Sequence, residues 1–76
     1  MSAHQVQQLV KMANQIALNL GAGRSEQQAA LETGKHIIHF WTQAMRLQLL
    51  EYWRGGGEGI APVVASFLEV EVVAGK

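Results

Sequence analysis

Between residues 3 and 20, apolar side chains recur at three- and four-residue steps. Val6, Leu9, Val10, Ala13, Ile16, Ala17 and Leu20 form one stripe, and Gln7, Gln8, Lys11, Gln15 and Asn19 fall outside it. That spacing predicts an amphipathic helix. Gly21-Ala22-Gly23 follows, with residues able to take positive φ, a common way for a helix to stop. Ser25 then opens a second helix. Its hydroxyl can accept from a free backbone N–H, and Gln28 three residues on completes a capping-box pattern. Ala30, Gly34, Ile37, Ile38 and Trp41 share a face of this helix, opposite Gln28, Glu32, Lys35 and His39. A glycine inside a helix costs about 1 kcal/mol against Ala. The place of Gly34 on the apolar face points to close approach of another helix.

Two readings stand at Thr42: it caps a third helix over 43–54, or the second helix runs straight through. Met45, Leu49, Leu50, Tyr52 and Trp53 face inward in either case. Gly55-Gly56-Gly57 makes a flexible turn. Pro62 suits the first turn of a short fourth helix with Val63, Val64, Phe67 and Leu68 as its apolar face. Glu69-Val70-Glu71-Val72-Val73 alternates and is β-branched, but no strand in the chain is available to pair with it. Residues 69–76 are therefore expected as frayed helix or a loose tail, the alternative being a strand added to a partner's sheet edge. The expected fold is all-α: a small three- to four-helix bundle with a loose C-terminal tail, in one domain spanning 1–76.

Composition sharpens this picture. With 49% hydrophobic and 16% charged residues, the chain is too apolar for disorder and apolar enough to suggest a sticky face. Six Lys and Arg balance six Glu, and the cations are scattered, which argues against nucleic-acid binding. There is no cysteine, so disulfides, thiolate catalysis and cysteine-held clusters are excluded. Met1 to Gln8 has no apolar run like that of a signal peptide, and no stretch approaches the ~20 apolar residues that span a bilayer. The expectation is a soluble cytoplasmic protein that meets neither membrane nor nucleic acid.

Catalytic and metal chemistry find little to work with. His36 and His39 stand three apart, but no Cys or Asp exists to complete the three or four ligands a zinc-type site needs. Ser25 and Ser66 lack a His–carboxylate pattern. The Gly55–Gly59 stretch lacks the Lys-Ser/Thr of a phosphate loop, and Glu58 would repel phosphate. No catalytic, cofactor-binding or metal residue is expected.

Three stretches carry a family resemblance: Met12-Ala13-Asn14-Gln15-Ile16-Ala17; His36-Ile37-Ile38-His39-Phe40-Trp41 with Met45-Arg46 and Leu49-Leu50; and Gly56-Gly57-Glu58-Gly59-Ile60-Ala61-Pro62-Val63-Val64. Their order and spacing resemble the delta subunit of NAD-dependent, molybdenum- or tungsten-containing formate dehydrogenases. Where that family reads Phe-Trp-Asp-Pro-Arg-Met, this chain has Thr42-Gln43-Ala44 between Trp41 and Met45, so the helix-breaking proline is missing. The resemblance implies a small accessory chain of a cytoplasmic complex, with no cofactor of its own. Such a chain binds the large molybdenum or tungsten catalytic subunit and supports its maturation, cofactor insertion or stability.

Asn14, Gln15, His36, Phe40 and Arg46 match the family, yet this chain's own core explains them poorly. They are the candidate partner-binding residues. Adjacent Phe40 and Trp41 cannot face the same way on a helix, so one must meet a second surface. Arg46 falls within the apolar arc of helix three, its stem on the core and its guanidinium free for a carboxylate. The alternative function is a self-associating helical module, a homodimer burying the Phe40 and Trp53 region.

Overall fold

Four helices follow one another in the computed structural model, which describes residues 3–74: α1 (Ala3–Gly21), α2 (Glu26–Phe40), α3 (Gln43–Arg54) and α4 (Pro62–Ala74). The α1 stripe packs as its periodicity predicts. Leu9, Val10, Ala13 and Ala17 are buried, with Val6 and Ile16 packed at the margin. All four helices feed one core, in which Ile37, Leu49, Val64 and Leu68 are the largest fully buried apolar side chains. The fold is an all-α bundle, with α2 packed mainly on α1 and α4.

The cap at Ser25 forms: its Oγ accepts the Gln28 N–H at 3.1 Å. The reciprocal half of the capping box does not. Gln28 instead turns along the helix, and its Nε2 donates to Glu32 Oε2 at 3.1 Å. The α2–α3 alternative resolves as a break. Trp41 and Thr42 are both extended, at φ −92° and −70° with ψ 147° and 160°. Thr42 Oγ1 caps α3 by accepting the Met45 N–H at 3.2 Å. Two extended residues, the second of them the α3 cap, thus separate α2 from α3 without a proline. The same break settles the Phe40–Trp41 conflict. Trp41 swings off the helix into the core, and Phe40 is left outside.

The buried arc of α2 is Ala29, Thr33, Gly34 and Ile37. That corrects the expected face: Ala29 and Thr33, which it left out, are buried, and Ile38 is half exposed and looks away from the core. Gly34 meets its expectation. A methyl built on it would lie 2.5 Å from Phe67 Cδ1, so α4 seats its ring where α2 has no side chain. On α4, helix continues to Ala74, so of the frayed helix or loose tail expected over 69–76 the described part is helical, and Glu71 takes part in an ion pair. Residues 75–76 lie outside the described residues.

Candidate functional site

The seven residues between α3 and α4 fold into a turn tied down from two sides. Tyr52 donates its hydroxyl to the Glu58 carbonyl at 2.6 Å. Gly57, at φ +64°, packs so closely on Trp53 that a side chain there would meet the indole Cδ1 at 2.9 Å. The third tie comes from α1. Asn14 Nδ2 donates to the Gly59 carbonyl at 2.8 Å, and its Oδ1 accepts the Ala61 N–H at 2.9 Å. Ala61 immediately precedes α4, and its carbonyl accepts the Ala65 N–H, so Asn14 fixes the entry of α4 from a separate helix.

This placement bears on each candidate partner-binding residue. Asn14 is half-buried and spends both ends of its amide inside the chain, a structural role the sequence did not reveal. Arg46 also turns inward. Its guanidinium meets Glu71 Oε1 of α4 at 3.4 Å with both side chains about a quarter exposed, and its Nε is buried without a hydrogen-bond partner. The carboxylate expected on a partner is supplied by this chain. Gln15 is exposed and donates only to Asn19 Oδ1, at 3.4 Å. His36 is half-buried with its ring centroid 4.6 Å from that of Phe40, and His39 packs edge-on against the same ring at 4.7 Å. Phe40 itself is 67% exposed, with both imidazoles against its ring.

Phe40 and Trp53 do not form one patch. Phe40 lies beside the start of α3, whereas Trp53 stands ten residues into it, about 15 Å along the axis. Trp53 is also drawn in against the Gly57 turn.

A second surface emerges that the sequence pattern had partly assigned to the core. Leu31 and Ile38 of α2 and Val70 of α4 are 53%, 51% and 66% exposed. They line a groove of about 680 Å³ between the two helices, with Phe67 and Gly34 in its floor. Glu26, Lys35, Glu69 and Glu71 edge it. A signal for it was present: Leu31 was an apolar residue the predicted α2 face left unused.

Among the described residues, no group of three or more His, Asp or Glu side chains could hold a metal ion, and no helix is long and apolar enough to cross a membrane. The chain has no cysteine, so it has no thiolate to offer an iron–sulfur cluster. The molecule is therefore of the class of small helical bundles that present apolar and aromatic side chains around a finished core. Residues 8–67 match the family model described as NADH-dependent formate dehydrogenase delta subunit FdsD, and the chain belongs to that family. No curated protein and no solved structure matches it.

Proposed function

We propose that this chain is a non-catalytic accessory subunit of a cytoplasmic NAD-dependent formate dehydrogenase. It binds the large molybdenum- or tungsten-containing catalytic subunit and supports that subunit's maturation, cofactor insertion or stability, carrying no cofactor itself. One observation supports the reading beyond the family: apolar side chains are left outside a core that is already complete. Phe40 is two-thirds exposed while its neighbour Trp41 is buried. Isolated exposed apolar residues are ordinary on any protein, but clustered ones mark contact surfaces. Aromatic residues are also enriched among the anchors of interfaces. Within this reading, Asn14 and Arg46 hold the bundle in shape, and Gln15, His36 and Phe40 remain available to a partner.

The maturation role is tested by removing the chain from its native host and purifying the catalytic subunit. The expected result is a several-fold fall in molybdenum or tungsten content, or in enzyme half-life, restored by supplying the chain in trans. A catalytic subunit with full metal content and unchanged half-life would contradict the role.

A further inference from the structure

We infer that the α2–α4 groove is the docking site for an amphipathic helix of the larger partner, one whose apolar stripe is flanked by Lys or Arg. The inference rests on the accessory-subunit reading and adds where the contact lies and what chemistry fills it.

The apolar part of the argument is geometric. Leu31 and Ile38 are seven residues apart, two turns or about 10.5 Å along α2, and Val70 faces them from α4. Between them Gly34 carries no side chain, and the Phe67 ring lies beneath. Apolar walls from two helices with a lowered centre accept a third helix through anchors at i, i+3 or i+4, and i+7. The three wall residues are each about half exposed or more, so they contribute little to the bundle itself.

Charge decides the occupant. Among the residues lining the groove, Glu26, Glu69 and Glu71 face a single cation, Lys35. Lys35 already leans on Glu32 at 3.9 Å, and Glu71 is held by Arg46. That leaves the carboxylates of Glu26 and Glu69 with no ion pair among the described residues. Arg24 lines the adjoining hollow on the other side of Glu26, not this groove. The chain as a whole is neutral, so the acidic rim is a local imbalance. A second copy is the wrong occupant, because a two-fold contact through this groove would bring two net-acidic rims together. A helix with Lys or Arg beside its apolar stripe satisfies both the floor and the rim.

The chain has no cysteine, so a single one can be introduced and carry a photo-crosslinker. Ile38→Cys probes the groove, and Leu47→Cys, 49% exposed on α3, is the outside control. Each labelled full-length chain is assembled with the formate dehydrogenase, irradiated, and the captured peptide sequenced. The inference expects Ile38→Cys to capture a helical segment of the larger subunit with Lys or Arg flanking apolar positions, and Leu47→Cys to capture much less. It also expects the pair Glu26→Lys and Glu69→Lys to slow association at low salt by about tenfold, with the difference fading as salt screens it. Capture of a second copy, of an acidic segment, or of nothing at Ile38 while the complex still forms would overturn the groove assignment. Failure of the unmodified chain to join the enzyme would instead overturn the accessory-subunit reading, and the groove assignment with it.

Discussion

Replacing Gly34 by Val is expected to remove about 3 kcal/mol of stability. A core this small supplies roughly 3–5 kcal/mol, so the isolated chain would keep only about 0–2 kcal/mol and be marginally folded. The reason is local. A methyl at Gly34 would stand 2.5 Å from Phe67 Cδ1 and 2.9 Å from Cε1. Phe67 is itself buried, at 7% exposure, so its ring has little room to withdraw. The milder Gly34→Ala separates two opposing effects. Helix propensity alone predicts a gain of about 1 kcal/mol. Overpacking costs about 1–3 kcal/mol. The clash is expected to win, lowering the melting temperature by several degrees, since about 1 kcal/mol corresponds to 4–8 °C in a domain of this size. Gly34→Ala combined with Phe67→Leu should recover part of the loss, because the smaller side chain vacates the contact. Thermal unfolding followed by circular dichroism measures all three. A rise in melting temperature for Gly34→Ala would mean the ring moves freely and the helices are not locked at this point.

Asn14→Ala is expected to cost about 2 kcal/mol, far more than an ordinary exposed helical amide would, because of its two bonds to the α3–α4 turn. Removing the amide leaves the part-buried Ala61 N–H without a partner and frees Gly59, so the entry to α4 loosens. Asn14→Asp divides the effect. It keeps the acceptor for Ala61 N–H and loses the donor to the Gly59 carbonyl, setting a carboxylate near that oxygen instead. Urea unfolding should show both variants destabilised. Hydrogen exchange should show the Ala61 amide exposed in Asn14→Ala and still protected in Asn14→Asp. Stability equal to the unsubstituted chain in both would return Asn14 to the set of residues free for a partner.

Features that depend on neighbours in the chain were legible in the sequence, and features that join distant segments were not. The α1 stripe, the Ser25 cap and the Pro62 start all follow from spacing within one or two turns. Gly34 was readable as a close approach because a helix-weakening residue on an apolar face needs a tertiary reason, although nothing in the pattern named Phe67. Thr42 stood as one of two readings. Its cap on Met45 N–H and the extended Trp41 decided between them. The pairing of Asn14 with residues 45 and 47 positions away, and of Arg46 with Glu71, had no local signal. Both residues were therefore expected at a partner. Ile38 was assigned to the core because it shares an arc with Ile37 and Gly34. The bundle buries only the side of that arc facing α1 and α4, and the other side forms the groove.

Within the three motifs, Asn14 and Arg46 bond inside the chain, whereas Gln15 and Phe40 stay exposed on its surface. Asn14 and Arg46 set the angle and spacing of α4 relative to α1 and α3. Those contacts shape the groove that α4 makes with α2. Phe40, with its flanking imidazoles, stands apart at the α2 terminus. A partner that engages both surfaces would wrap around α2.

The most direct measurement is capture of the tagged full-length chain from its native cell extract, with mass spectrometry and metal analysis of what accompanies it. The account predicts a molybdenum- or tungsten-containing formate dehydrogenase catalytic subunit, lost when Ile38 and Phe40 are both replaced by Glu. Recovery of the chain alone, or only as its own dimer, from an extract that contains the enzyme would contradict it.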